Sequence, residues 1–221
     1  MNGATARQSL TIAAYDAAWP ELAGLAHVLD APALDRLLIA CLQDLISSVI
    51  QLSGVSFTVA APDPKRAEDV RGVISAGVNV IVAATMLEGS ARHRLIFRHA
   101  AERGFERSVV VAGDTLALPV ATAGTAFGVL ESADLVVGPT QQAAWYLVGT
   151  RAAAGDVTIL DANERTDTLF ARATERGLIA RRLEPRVRLA GISTLDELHA
   201  VCTLPNLGRQ VSAWLDERFR E

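Results

Sequence analysis

A buried strand that ends in a carboxylate is the clearest feature of this sequence that could do chemistry. The predicted strand 108–112 is rich in valine and is followed directly by Gly113, Asp114 and Thr115. Ligands of open α/β sheets bind outside the carboxyl ends of the strands, so Asp114 is a candidate ligand-facing group. The alternative is that Asp114 only caps the turn after the strand.

Two glutamines and two aromatic residues follow another predicted strand end. Gln141 and Gln142 come directly after the segment 138–140, where a ligand would lie, although exposed loop amides are more often solvated. Trp145 and Tyr146 could stack a base. Alternating aromatic and aliphatic residues are, however, more typical of strand core, and that is the favoured interpretation.

A predicted helix over 92–103 carries a basic face formed by Arg92, His93, Arg94 and Arg98. A solvated face is favoured over a phosphate clamp, which stays the alternative. Further arginines are predicted to be surface charges that flank strands: Arg181, Arg182, Arg186 and Arg188.

Several well-known motifs are missing from the sequence. It has no G-x-x-x-x-G-K-[ST], no G-x-G-x-x-G after the first strand and no G-x-S-x-G, which argues against a P-loop, a dinucleotide fingerprint and a hydrolase elbow. The histidines also lack the spacing of zinc ligands: they are His27, His93, His99 and His199.

Composition excludes other classes of function. The net charge of −4 is mild and no basic stripe is visible, so no nucleic-acid partner is expected. No run of about 20 apolar residues suggests a membrane span, and no apolar run after the first residues suggests a signal peptide. Cys41 and Cys202 are far apart in sequence, which is typical of a reducing compartment. A cytoplasmic protein is expected.

Short apolar runs alternate with amphipathic segments along most of the chain. Predicted strands cover 9–14, 55–60, 78–84, 108–112, 135–137, 144–148 and 187–192. Predicted helices cover 68–75, 92–103, 120–131 and 166–176, and a longer helix begins at Asp30 and Pro32. This alternation predicts an α/β fold, with a mostly parallel mixed sheet covered by helices on both faces.

One domain over residues 1–221 is the predicted organisation, because no linker or repeat interrupts the pattern. Residues 205–221 form its predicted C-terminal helix, which has one apolar face: Leu207, Val211, Trp214 and Leu215. This face is expected to pack on the sheet. A homodimer contact is the alternative.

Three segments together resemble a known family. They are 109–119 with its Gly-Asp strand end, 133–139 followed by 145–149, and 194–198. In order and spacing they are similar to the bacterial glycosyltransferase-A-like family of mostly uncharacterised members, which is related to the molybdenum-cofactor nucleotidyltransferases and the phospholactate guanylyltransferases. The resemblance covers roughly residues 55–198. It implies the nucleotide-diphospho-sugar transferase fold, also called the GT-A-like fold.

The resemblance also implies roles for individual residues. Asp114 matches the family's strand-end aspartate, which implies a catalytic carboxylate that holds Mg²⁺ or Mn²⁺ against the phosphates of a nucleotide or nucleotide-sugar. Under the transferase hypothesis the candidate substrate contacts are Gly113, Thr115, Gln141, Gln142, Trp145, Tyr15, Asp16 and Arg94.

The sequence departs from the family's pattern around Asp114. Gly191-Ile192-Ser193 stands where the family has Asp-x-Asp, and the first loop, 15–21, is acidic and aromatic rather than rich in glycine, lysine and arginine. The expected function is a nucleotide- or nucleotide-sugar-dependent transferase with a degenerate metal site. The alternative is a non-catalytic descendant that binds a small ligand or a protein partner. Asp114→Ala is expected to abolish any metal response without unfolding the chain.

Overall fold

The computed structural model describes residues 7–15, 17–74, 78–83, 89–142, 144–151 and 165–219. Its strands are β1 (Gln8–Ala13), β2 (Val55–Ala61), β3 (Asn79–Val82), β4 (Arg107–Ala112), β5 (Leu135–Pro139), β6 (Trp145–Arg151) and β7 (Ala180–Arg182). They form one sheet in the order β3-β2-β1-β4-β6-β5-β7. Only β6 runs antiparallel to its neighbours in this sheet, so the predicted mostly parallel mixed sheet is confirmed.

Helices cover the sheet on both faces. They are α1 (Ala23–Ala26), α2 (Ala31–Val49), α3 (Pro64–Val73), α4 (Gly89–Glu102), α5 (Val120–Val129), α6 (Thr166–Glu175), α7 (Leu195–Ala200) and α8 (Arg209–Phe219). Helix α2 begins as predicted, because the Asp30 side chain accepts a hydrogen bond from the Ala33 N–H at 2.7 Å. None of the helices that the structure describes is both long and apolar enough to cross a bilayer.

The central strand β4 separates two hydrophobic clusters. Val109 and Val111 belong to the cluster that includes side chains of α3 and α5, and Val110 belongs to the cluster that includes side chains of α4 and α6. All three valines are buried, as the valine-rich run predicted. Since successive side chains of a strand point to opposite faces, β4 is buried on both sides.

The C-terminal segment packs mainly on α2, whereas the sequence predicted packing on the sheet. Val211 and Leu215 of α8 are buried in the same cluster as the first half of α2. Asp44 of α2 fixes the start of α8, because its carboxylate accepts hydrogen bonds from the N–H groups of Gln210 and Val211 at 3.0 and 2.9 Å. The capping carboxylate therefore comes from another helix.

The predicted last strand over 187–192 is wrong. Leu189–Gly191 form a 3₁₀ helix, and Arg188 makes only an isolated bridge with Thr115. The chain turns here because the Asp114 carboxylate accepts a hydrogen bond from the Ala190 N–H, which would otherwise be free for a strand ladder. The seventh strand is instead the short β7, which pairs with β5.

Candidate functional site

The candidate site lies at the carboxyl edge, the edge of the sheet where β1, β2 and β4 end. Ala13 and Ala112 are register partners on β1 and β4, so Tyr15 and Asp114 follow the two strand ends side by side. Gly113 permits this close approach. A Cβ atom there would lie 2.6 Å from the Ala13 carbonyl oxygen, and the Gly113 N–H donates to the same oxygen at 2.9 Å.

Asp114 is fully buried, and both of its carboxylate oxygens accept hydrogen bonds from the protein. Oδ1 accepts from Arg188 Nε at 2.8 Å, and Oδ2 accepts from the Ala190 N–H at 3.0 Å. The exposed fraction of Asp114 is 0%. In this structure the Asp114 carboxylate faces protein donors, and a contact between Asp114 and a ligand stays a prediction.

Arg188 joins three parts of the carboxyl edge. Besides Asp114, its guanidinium donates from Nη1 to the Trp145 carbonyl oxygen at 3.0 Å and from Nη2 to Tyr15 Oη at 3.3 Å. Burial opposes the charged form, but the charge of Asp114 and the Tyr15 side chain outweigh it and raise the pKa of Arg188 above its ordinary value. Arg188 is only 9% exposed, so its prediction as a surface charge is wrong.

A second buried arginine lies beside Tyr15. Arg92 donates to the carbonyl oxygens of Ala14 and Ala60 at 2.5 and 2.6 Å, and its guanidinium lies 5.2 Å from the ring of the partly exposed Trp19. It also lies 5.5 Å from the Tyr15 ring, on which Arg188 packs at the same distance. Tyr15 is thus held by two cations.

The predicted solvated face of α4 needs correction for two of its residues. Arg92 is 0% exposed, and His93 is buried with its ring edge against Trp145, 4.6 Å between ring centroids. Arg94 is half-buried and Arg98 is exposed. Arg92 turns inward because the ends of β1 and β2 present carbonyl acceptors there, and His93 turns inward to pack against the Trp145 ring.

The structure brings together five of the residues that the sequence singled out. Around Arg188 and the end of β4 lie Gly113, Asp114, Thr115, Trp145 and Tyr15. Thr115 is buried, and its hydroxyl donates to the Ala112 carbonyl at 2.6 Å. Trp145 is buried as well, in line with the strand-core interpretation.

Two of the remaining predicted contacts, Gln141 and Gln142, lie at the rim of the site. Gln141 and Gln142 are exposed, and the Gln142 amide lies 3.4 Å from the Gly191 carbonyl oxygen. Asp16 lies outside the described residues. Sequence reasoning missed that Arg92 and Arg188 are buried at the candidate site. The available signal for Arg188 was its position among the apolar residues Val187 and Leu189.

These residues do not fit a divalent metal ion. Mg²⁺ and Mn²⁺ take several free oxygen ligands, but the two oxygens of Asp114 are already engaged. In the part of the chain that the structure describes, no three histidine, cysteine, aspartate or glutamate side chains come close enough to share a metal. The arrangement instead neutralises Asp114 with a cation that belongs to the chain.

A separate cleft of about 610 Å³ opens beyond the loop that follows Asp114. Its walls are α2, residues 115–120 and residues 206–211, and Gln51 lies on its α2 side. The volume is in the range of small-molecule pockets. Ligand binding should therefore be tested at both the carboxyl edge and this cleft.

Comparison with known families matches residues 45–170 to a family described as an uncharacterized protein conserved in bacteria, DUF2064. The chain belongs to this family. Comparison with the curated proteins found no match.

Solved structures place this DUF2064 chain among transferase folds. A candidate nucleotide-diphospho-sugar transferase from Desulfovibrio desulfuricans superposes with a TM-score of 0.81 at 16% identity, over 97% of this chain and 96% of that one. The inositol-1-phosphate CTP transferase from T. maritima gives 0.56 at 11% identity, over 96% of both chains. Rv0371C of Mycobacterium tuberculosis, in complex with manganese, gives 0.54 at 16% identity, over 89% of this chain and 98% of that one. These similarities confirm the predicted GT-A-like fold.

Proposed function

We propose that this DUF2064 chain binds a nucleotide or nucleotide-sugar at the carboxyl edge without a divalent metal, as a non-catalytic descendant of the transferase fold. One observation carries the metal-free part: both oxygens of Asp114 accept hydrogen bonds, from Arg188 and from the Ala190 N–H. Metal-assisted transfer needs a carboxylate that is free to hold the ion. The ligand class is taken from the structural neighbours, one of which is a CTP transferase.

The exposed groups at the rim are the proposed ligand contacts. The amides of Gln141 and Gln142 can donate and accept hydrogen bonds, and the partly exposed ring of Trp19 offers a face for a base. Buried residues have a different role. Gly113, Thr115 and Trp145 shape the floor of the site and keep Tyr15 and Asp114 in place.

A metal-dependent nucleotidyl or glycosyl transferase is the second candidate. It is favoured by the place of Asp114, directly after the central strand β4, where the chain resembles the transferase families. This function would require the segment that carries Arg188 and Ala190 to leave the carboxylate, so that Mg²⁺ or Mn²⁺ could reach it. Nucleotide binding that depends on metal would be its signature.

The test is a thermal-shift screen of the purified protein with nucleotides and nucleotide-sugars, each with and without Mn²⁺. A ligand at about 100 times its Kd adds about 2.7 kcal/mol of stability, which is readily measured for a chain of this size. We expect one nucleotide class to raise the Tm equally in both conditions. A shift that appears only with Mn²⁺ would favour the transferase, and no shift with any compound would refute nucleotide binding.

Matched glutamine variants locate the ligand. Gln142→Ala changes the rim of the carboxyl edge, whereas Gln51→Ala changes the cleft beside α2. Both side chains are exposed, so neither change should alter stability by more than about 0.5 kcal/mol. We expect Gln142→Ala to weaken the nucleotide shift and Gln51→Ala to leave it unchanged. The reverse result would move the ligand to the cleft.

A further inference from the structure

We infer that Arg188 occupies the place of the divalent cation in this chain, so that a metal ion has been replaced by a guanidinium built into the sequence. The inference deepens the proposed metal-free function and rests on it. It states why the site needs no metal, and it predicts that Asp114 will accept one once Arg188 is removed.

The three groups that accept hydrogen bonds from the Arg188 guanidinium are oxygen atoms. Asp114 Oδ1 lies 2.8 Å from Nε, the Trp145 carbonyl oxygen lies 3.0 Å from Nη1, and Tyr15 Oη lies 3.3 Å from Nη2. We call these three acceptors the Arg188 cage. Carboxylate and carbonyl oxygens are the ligands that hard divalent cations take in proteins, and a hydroxyl is a neutral oxygen of the same kind. The cage is thus a set of cation ligands occupied by a side chain.

The backbone around Arg188 fixes this cation in position. Arg188 forms an isolated bridge with Thr115, and the preceding carbonyl of Val187 accepts a hydrogen bond from the Leu116 N–H at 2.9 Å. The following Leu189 N–H donates to the Asp114 carbonyl oxygen at 3.0 Å. Because both neighbours of Arg188 are held by the loop after β4, the guanidinium cannot exchange with solvent as a bound ion does.

Charge makes the replacement effective. Arginine stays protonated at every physiological pH, and Asp114 strengthens its charged form. A buried carboxylate without a partner is strongly unfavourable, so the cage requires a cation at all times. A metal ion would meet that requirement only when bound, whereas Arg188 meets it permanently.

A metal-rescue experiment tests the inference. Arg188→Ala removes the guanidinium and leaves the cage oxygens unpaired, and we expect the Tm to fall by about 10 °C. Added Mn²⁺ should recover a large part of that loss and should leave the Tm of the natural chain unchanged. Mn²⁺ electron paramagnetic resonance should then show one bound ion per Arg188→Ala chain.

The double variant Asp114→Asn/Arg188→Ala is the matched control. It lacks both charges, so we expect it to be more stable than Arg188→Ala and indifferent to Mn²⁺. If Arg188→Ala is recovered unfolded, the yield of folded protein on refolding in Mn²⁺ replaces the Tm, with the same control.

Failure of the inference is separable from failure of the proposed function. Equal responses of the single and double variants to Mn²⁺, or no response of either, would overturn the role of Arg188. Nucleotide binding by the natural chain is measured independently and would stand in that case. A purely structural ion pair would give the same loss of Tm without any metal rescue dependent on Asp114.

Discussion

At the scale of single residues, the pair formed by Asp114 and Arg188 decides what the site can do. Burying two charges costs desolvation free energy, so the pair as a whole contributes little net stability. Removing one partner is different, because the other charge is left buried and uncompensated. The sequence-based expectation that Asp114→Ala would leave the fold intact does not agree with a carboxylate that holds both Arg188 and the Ala190 N–H.

Asp114→Ala is therefore expected to lower the free energy of unfolding by about 3–5 kcal/mol. Asp114→Asn should lose less, since its amide oxygen can still accept one of the two hydrogen bonds. Urea unfolding at neutral pH measures both. A loss below about 1 kcal/mol for Asp114→Ala would contradict the buried pair, because such values are typical of exposed ion pairs.

The two cysteines should differ sharply in reactivity. Burial, with a contribution from Asp114 and Asp44, raises the pKa of the Cys41 thiol well above its ordinary value, while Cys202 is exposed. Because the thiolate is the reactive form, a thiol reagent at pH 8 should label Cys202 only, and Cys41 should react after denaturation. Mass spectrometry of the labelled peptides gives the answer. Labelling of Cys41 in the native chain would refute its burial.

At the scale of elements, the contact between the ends of β1 and β4 depends on the missing side chain of Gly113. Gly113→Ala should lower stability by about 2 kcal/mol, because a Cβ there lies 2.6 Å from the Ala13 carbonyl oxygen. Gly128→Ala is the matched control: its Cβ on α5 meets nothing within 4 Å. Because alanine favours a helix over glycine, Gly128→Ala should raise the free energy of unfolding by about 0.5–1 kcal/mol. Urea midpoints that shift equally for the two variants would contradict the close approach.

The elements were largely predictable from the sequence, because their signals are local. The apolar periodicity of α2 and its Asp30 cap, the valines of β4, and Gly104 and Gly177, which adopt positive φ after α4 and α6, each specify one element from neighbouring residues. Residue roles were less predictable. Arg188 and Arg92 look like surface charges in sequence, since the acceptors that draw them inward lie 32 to 173 positions away.

At the scale of the whole molecule, each hydrophobic cluster contains one of the two tyrosines of the chain. Tyr15 lies in the cluster with α4 and α6, and Tyr146 in the cluster with α3 and α5. Burial raises the pKa of both phenols, that of Tyr146 to about 12. The two groups therefore report on the two halves of the core separately.

Stability should fall as the pH rises from about 10 toward 12. In that range the unfolded chain has lost tyrosine protons that the folded chain keeps, so alkali favours unfolding. If residues 1–221 form one domain, as predicted, tyrosinate absorbance and far-ultraviolet circular dichroism should change in a single common transition. Tyr146→Phe should weaken the pH dependence. Two separate steps would contradict the single domain. Ultracentrifugation below pH 10 would test the homodimer that the sequence left as an alternative.

The position of β6 has a consequence for synthesis of the chain. Strands β3, β2, β1 and β4 are neighbours in the sheet and are all complete by residue 112. Strand β5 is made next, yet it reaches β4 only through β6, which follows it in the sequence. In the nascent chain four strands can therefore pair while the outer edge of β4 is still unpaired and β5 has no contact with it. The edge of β4 is covered only after residues 145–151 have been synthesised. Until then the unpaired edge is the part of the sheet most exposed to pairing with another chain.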